Sequence, residues 1–141
     1  MRPRKINPRP TDAEIEILNV VWTSGPSTVR LVHETISQTK PSQYTTTLKL
    51  MQIMAAKGLL ERDESERSHV YSATIPREDA QRQMAVDLME RAFAGSLRSL
   101  VLGALGGRRA TEHELAELRA LVEEHEQRAP DAGSTRRRRT R

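Results

Sequence analysis

The sequence predicts a mainly α-helical protein with one small β-hairpin, in the order three helices, hairpin, three helices. Apolar residues recur at helical spacing in six segments, and two short strand-like runs flank a polar turn after the third. Only 3% of the 141 residues are aromatic and 36% are hydrophobic. Such a composition favours a small aliphatic core packed from helices.

Two helices open the predicted fold. The first begins at a capping box, with the hydroxyl of Thr11 at the helix start and the carboxylate of Glu14 three residues later, and it runs to about Ser24 before a Gly-Pro pair. The second follows that pair and runs to about Gln38. The residues whose spacing places them on the inner faces are Ile15, Leu18 and Trp22, then Val29, Val32 and Ile36.

The third helix is predicted to start near Ser42 and to end at Lys57-Gly58, where glycine can take the left-handed conformation of a helix C-terminus. At 100° per residue its two faces separate cleanly. The inner face carries Tyr44, Thr47, Met51, Met54 and Ala55. The outer face carries Thr45, Thr46, Lys49, Gln52 and Ile53.

A hairpin follows the third helix. Residues 59–63 and 69–73 are short runs that can pair, and the polar segment 64–68 between them favours a turn. Three helices followed by a hairpin make a winged helix-turn-helix, which we therefore assign to residues 11–75.

The C-terminal helices are predicted over residues 76–128, between a basic tail at 1–10 and an arginine-rich tail at 129–141 that looks disordered. About fifty residues with thin apolar stripes are near the lower limit for an independent domain, so the stripes need a partner. A second copy of the chain is favoured, because a two-fold axis buries one stripe against itself; the alternative is that these helices fold back on the first domain. The candidate dimerisation residues are Leu88, Phe93, Leu97, Leu100, Val101, Leu105, Leu118 and Val122.

The positive charge lies in the two tails. The chain has a net charge of +4, but residues 1–10 and 129–141 each carry +4, so that residues 11–128 carry −4. A basic tail adds salt-sensitive attraction to phosphate that does not depend on base sequence. The alternative is that the tails only aid solubility.

Several classes of function are excluded by composition and spacing. The chain has no cysteine, which rules out disulfides, thiol catalysis and thiolate metal sites. No apolar run approaches the length of a membrane span, and the basic start has no apolar stretch of a secretory signal. The four histidines are scattered, and no phosphate-binding glycine loop or nucleophile elbow is present. We expect a cytoplasmic protein that is not an enzyme, uses no cofactor or metal, and does not insert into a membrane.

The start of the third helix has the chemistry of a DNA-contacting surface. Hydroxyls and an amide at a helix N-terminus can reach phosphate oxygens and base edges together. Gln43 can pair with adenine, and a threonine can offer its hydroxyl or a methyl group to a base. Each residue alone also fits a purely structural role, since the threonines can cap the helix and Lys49 can be an ordinary surface lysine. The candidate DNA-binding residues are Ser42, Gln43, Thr45, Thr46, Lys49, Gln52 and, at the tip of the wing, Arg67.

The chain resembles the penicillinase-repressor family of bacterial transcriptional regulators, of BlaI/MecI type. The matching segments are Ile17 to Trp22, Gly25 to Val29, Tyr44 to Thr46, Lys57 to Leu60 and His69 to Tyr71. Each is weak singly, but their order and spacing are specific. The resemblance implies a homodimer with an N-terminal winged helix and a C-terminal three-helix dimerisation region, which represses promoters by binding a dyad operator in double-stranded DNA.

The chain departs from the family pattern in three places. Ile53 stands where the family commonly has arginine, and Leu48 stands where it often has a polar residue. Such apolar side chains can meet thymine methyls or pack on the wing. The β-lactam-responsive members are cut at an Asn-Phe bond by a sensor protease; the matching position here is Gly103-Ala104. The copper-responsive relatives have a C-terminal cysteine cluster, which this chain lacks.

A different class of function is also consistent with the sequence. The winged helix would bind a protein partner, and the basic tails would touch RNA or a membrane surface without specificity. The feature that supports this alternative is the −4 charge of residues 11–128, which is poor for a DNA reader.

Overall fold

The computed structural model describes residues 9–128, which form six helices and three short strands. The predicted tails lie outside this range, apart from Arg9 and Pro10. None of the helices in residues 9–128 has the length and apolar character to cross a membrane. The elements are α1 (Asp12–Ser24), β1 (Ser27–Thr28), α2 (Val29–Ser37), α3 (Tyr44–Lys57), β2 (Leu60–Asp63), β3 (Val70–Ala73), α4 (Arg77–Ala92), α5 (Leu97–Gly107) and α6 (Glu112–Arg128).

Helix α1 begins at the predicted capping box. The Glu14 backbone N–H donates to Thr11 Oγ1 at 3.2 Å, and the Thr11 N–H donates to Glu14 Oε1 at 2.8 Å. The buried apolar residues of the helix are Ile17, Leu18 and Val21. The predicted stripe is confirmed at Leu18 and at Trp22, which is half-buried and packs against the core, and it was wrong at Ile15, which is half-buried and not among the core residues. The Glu14 side chain, on the same helix, is also buried.

The wing is a three-stranded antiparallel sheet in the order β1-β3-β2. The predicted hairpin is β2-β3, in which Arg62 lies opposite Tyr71. Strand β1 was not predicted; its two residues, Ser27 and Thr28, pair with Tyr71 and Val70. Because Thr28 is also the N-cap of α2, where its side chain accepts from the Leu31 N–H at 3.2 Å, β1 joins the start of α2 to the wing.

One hydrophobic core holds α1, α2, α3 and the sheet together. It is aliphatic apart from one tyrosine, as the composition predicted. Its buried members are Ile17, Leu18, Val21, Val29, Val32, Met51, Met54, Leu59, Leu60 and Tyr71.

The chain divides into two compact units, the first ending at Gly95 and the second beginning at Ser96. Helix α4 therefore lies in the same compact unit as the winged helix, and its assignment to the dimerisation region of residues 76–128 stays a prediction. Ala80 of α4 is fully buried, and Trp22 Nε1 donates to the Ile75 carbonyl at 3.0 Å. Arg77 adds a hydrogen bond of 2.7 Å to Thr23 Oγ1. These contacts join the first turn of α4 to the end of α1.

The second unit contains α5 and α6. Ser96 caps α5 by accepting from the Ser99 N–H at 3.1 Å. A second capping box begins α6, with Glu114 N–H donating to Thr111 Oγ1 and Thr111 N–H donating to Glu114 Oε1, both at 3.1 Å. Helix α5 ends at Gly107. Neither helix contains a buried residue.

Candidate nucleic-acid interface

Helix α3 exposes the face that the sequence analysis assigned to DNA. Thr47, Met51 and Met54 are buried in the core on the opposite side. The predicted outer-face residues Thr45, Thr46, Lys49, Gln52 and Ile53 are all exposed. The helix therefore presents an outer surface that has hydrogen-bonding groups and a single charged side chain, Lys49. Their contact with DNA remains a prediction.

The start of α3 differs in detail from the prediction. The N-cap is Gln43, whose side chain is exposed and makes no capping hydrogen bond. Its carbonyl accepts from the N–H groups of Thr46 and Thr47, at 3.1 and 3.2 Å. The amide side chain of Gln43 is thus not engaged in capping the helix.

Ser42 precedes the helix and is half-buried in the turn from α2. Its hydroxyl lies 2.9 Å from Ser37 Oγ and 3.4 Å from His33 Nδ1. Tyr44 was expected on the inner face, but this was wrong: its side chain is 45% exposed, and its ring packs edge-on against His33 at a centroid distance of 5.7 Å. Both residues fix the α2–α3 turn, because each contacts a side chain of α2.

The end of α3 is fixed by an ion pair that sequence reasoning missed. Lys57 Nζ lies 3.0 and 2.9 Å from the two carboxylate oxygens of Glu14, and only 1% of Glu14 is exposed. Burial raises the pKa of the Glu14 carboxyl, but the hydrogen bond from the Thr11 backbone and the Lys57 ammonium outweigh it and leave that pKa below its ordinary value. An inward-facing glutamate in the first turn of α1, 43 residues from its lysine, gives no local sequence signal.

The wing carries charges of both signs near its tip. Arg67 lies in the turn between β2 and β3 and is exposed. Asp63 accepts from the Ser65 N–H at 2.9 Å, and this bond holds the pKa of the Asp63 carboxyl below its usual value. Arg62 forms an ion pair with Glu64. The turn is therefore ordered by its acidic residues.

Gln52 lies beside the wing. It lines a cleft between α3 and β2, together with Ala55 and Ala56 on the helix side. On the strand side the cleft is lined by Glu61, Arg62 and Glu64. The structure thus separates Gln52, at this cleft, from the first-turn residues of α3. Within residues 9–128, no group of three or more histidine, aspartate or glutamate side chains is placed to hold a metal ion.

The candidate dimerisation residues fall in both compact units. Leu88 and Phe93 lie at the end of α4, in the first unit. Leu97 and Val122 of the second unit are 65% and 56% exposed. The exposed apolar residues of α5 and α6 also include Val101, Leu102, Leu105, Leu118 and Leu121, while Leu100 is half-buried. Gly103 and Ala104 are exposed within α5.

Comparison with known proteins places these features in one family. Residues 10–124 match the model of the penicillinase repressor family. A penicillinase repressor of Bacillus licheniformis is 27% identical over 121 residues, which cover 86% of this chain and 94% of the relative. The transcriptional regulator BlaI of Mycobacterium tuberculosis is 29% identical over 113 residues, covering 79% of this chain and 82% of the relative.

A solved structure is also similar. It is the solution structure of the monomeric form of Bacillus licheniformis BlaI in complex with the blaP half-operator. The likeness has a TM-score of 0.46 and 28% sequence identity, and it covers 53% of this chain and 90% of that one. The family match extends over most of this chain and confirms the resemblance found in the sequence: the chain belongs to the penicillinase repressor family.

Proposed function

We propose that the chain is a homodimeric transcriptional repressor, without enzymatic activity, that binds a dyad operator in double-stranded DNA. Helix α3 lies in the major groove, and Arg67 of the wing contacts the DNA backbone. The observation that carries the proposal is the division of α3 into a buried core face and an exposed face with Thr45, Thr46 and Lys49. Membership in a family whose relatives are named as repressors and transcriptional regulators supports it.

The exposed face fits base reading because most of its groups are uncharged hydrogen-bonding groups and Lys49 adds one positive charge. A threonine hydroxyl can donate to or accept from a base edge, and the amide of Gln43 can pair with adenine. Lys49, one turn further along, reaches guanine or a phosphate. The N-terminal end of a helix also favours the phosphate charge. The operator contacts of the chain are therefore expected at Gln43, Thr45, Thr46, Lys49, Gln52 and Arg67, with Ser42 acting at the turn.

A matched pair of variants tests the interface. Thr46→Glu places a carboxylate on the reading face, and Gln81→Glu makes the same change in charge at an exposed position of α4. In gel shifts with the DNA upstream of the chain's own gene, we expect Thr46→Glu to lose about two orders of magnitude in affinity. Gln81→Glu should bind like wild type, and both should sediment as dimers. Normal binding by Thr46→Glu would show that α3 is not the reading helix.

The dimer is proposed from the second unit. Helices α5 and α6 contain no buried residue, and they expose a series of leucines and valines that a second copy can cover. Two copies then present two α3 helices to the two halves of a dyad. Leu100→Asp puts a charge among these residues and should convert the dimer to a monomer with weakened operator binding. An unchanged dimer in sedimentation would contradict this assignment.

The tails distinguish the proposed repressor from the alternative protein-binding module. A chain trimmed to residues 11–128 removes the basic segments, each of which carries +4. The repressor should keep its preference for one DNA sequence at moderate salt. Complete loss of binding on trimming would instead favour the module whose tails touch RNA or membrane.

We further propose that the chain is cleaved by a sensor protease, in the cytoplasm where the operator is bound. The bond that corresponds to the family's cleaved bond is Gly103-Ala104, inside α5. Because the bond is helical, cleavage needs local unwinding of α5. Mass spectrometry of the chain recovered from cells exposed to a β-lactam tests this: a fragment that ends at Gly103 supports the protease, and an intact chain rejects it.

A further inference from the structure

Ile53 is an apolar side chain on the outer face of α3. It is 39% exposed, whereas the neighbouring Leu48, Leu50 and Ala55 of the same helix pack against the core. The cleft between α3 and the wing is lined from the helix by Gln52, Ala55 and Ala56, so Ile53 lies outside that lining. Neither the core nor the cleft accounts for an isoleucine at this position.

The position of Ile53 follows the reading face of the helix. Thr46, Lys49 and Ile53 are spaced i, i+3 and i+7, and all three are exposed. Seven residues rise about 10.5 Å along a helix, which is the length of about three base-pair steps. Base-contacting residues of a homeodomain recognition helix span the same seven positions. A helix that reads bases with Thr46 therefore carries Ile53 along the same groove.

The major groove offers one apolar group to such a side chain, the C5-methyl of thymine. We propose that Ile53 is a specificity-determining residue that packs on a thymine methyl, about three base pairs from the pair that Thr46 contacts. An isoleucine has no donor or acceptor, so a guanine or cytosine at this pair would lose its water contacts without replacement. The inference rests on the proposed function, and it assigns an A·T pair to this place in each half-site.

Replacing thymine by deoxyuracil tests the contact, because the exchange removes only the methyl group and keeps base pairing. The operator is first obtained with the full-length chain, by enrichment from a pool of duplexes with a randomised 30-base-pair segment. Thymines of the enriched duplex are then changed to deoxyuracil in a series of duplexes. Each duplex carries the exchange at one position, and the change is made at the equivalent place in both half-sites. Dissociation constants are measured for wild type, Ile53→Ala and Val86→Ala, the last being a change at a comparably exposed apolar residue of α4.

We expect one thymine position at which wild type and Val86→Ala lose about fourfold for each methyl removed. Ile53→Ala should bind the thymine and deoxyuracil duplexes equally. The sensitive position should lie about three base pairs from the position at which Thr46→Ala no longer distinguishes one base pair from another.

Two results overturn the inference while leaving the proposed function intact. One is an enriched operator in which no thymine is sensitive to the exchange. The other is that Ile53→Ala loses as much affinity as wild type at every sensitive thymine, so that none of them depends on Ile53. A pool that yields no enriched sequence contradicts the proposed function itself, and the inference with it. Because the readout is a ratio between two duplexes, a variant that merely weakens folding or dimerisation lowers both affinities and does not change it.

Discussion

The carboxylate of Glu14 joins the start of α1 to the end of α3. One oxygen accepts from the backbone of Thr11 at the start of α1, and both oxygens accept from Lys57 at the end of α3. A buried charge is tolerated only when it is paired and hydrogen-bonded. The orientation of α3 therefore depends on a residue that lies far from the exposed reading face.

Removing the lysine should be costly. Lys57→Ala leaves the Glu14 carboxylate buried without its cation, and we expect the free energy of unfolding to fall by about 3 kcal/mol. Lys49→Ala, an exposed lysine of the same helix, should change it by no more than about 0.5 kcal/mol. Urea denaturation of both variants measures the difference. Equal stabilities would show that the pair contributes nothing to the fold.

The same pair makes stability depend on pH. The pKa of Glu14 is lower in the folded chain than its ordinary value of 4.5, so the unfolded chain takes up a proton more readily. The stabilising contribution is fully present above that ordinary value, and it is lost as the pH falls through the folded pKa. The difference in unfolding free energy between wild type and Glu14→Gln should therefore shrink below pH 4.5. A difference that stays constant or grows in acid would contradict the assignment.

Residue positions were predictable where the helical period alone decides them. Thr46, Lys49 and Gln52 were correctly placed on the exposed face of α3. Tyr44 was not, because an edge contact with His33 holds it at the surface. Helical spacing predicts the face on which a residue lies, but it does not predict contacts with side chains of other helices, such as the one between Tyr44 and His33.

At the scale of elements, side-chain caps fix where several helices begin. Thr11, Thr28, Ser96 and Thr111 each accept a hydrogen bond from a first-turn N–H. Such caps depend on local sequence, and the capping box at Thr11 was predicted for that reason. Strand β1 could not be predicted in this way. A two-residue strand has no periodicity, and its pairing with β3 joins residues more than 40 positions apart.

The start of α6 carries a second measurable carboxylate. The Arg108 guanidinium and the Thr111 backbone lower the pKa of Glu114 from 4.5 to about 2. Carboxyl carbon shifts in an NMR titration should show Glu114 as still ionised at pH 3. In Arg108→Gln the same titration should move back toward 4.5. A Glu114 that titrates at its ordinary value in wild type would show that the Arg108 contact is not formed in solution.

At the scale of the whole chain, charge and apolar surface are unevenly distributed. Residues 11–128 carry −4, whereas each terminal segment carries +4. The exposed leucines and valines are concentrated in α5 and α6. The boundary between the two units, after Gly95, was not predicted from the sequence, because the burial of Ala80 and the bond from Trp22 to Ile75 decide that α4 belongs to the first unit.

The arginine-rich segment should act on DNA affinity through salt. Residues 129–141 contain five arginines and one aspartate. Each cation that neutralises a phosphate adds about 0.9 to the slope of log affinity against log salt. Deleting the segment should reduce that slope by up to about 4.5 for each subunit and weaken binding to unrelated DNA, with sequence preference retained. Gel shifts between 50 mM and 200 mM salt measure it; an unchanged slope would leave the segment without a role in binding.

The separation of α3 into two faces also bears on how such a protein changes its target. Thr47, Met51 and Met54 hold the helix in place, and none of them belongs to the exposed set. A new reading surface can therefore be installed at Thr45, Thr46, Lys49 and Ile53 without repacking the interior. Duplicated copies of the gene are free to diverge toward different promoters while sharing one scaffold, and a library randomised at these four codons is a practical route to repressors with chosen operators.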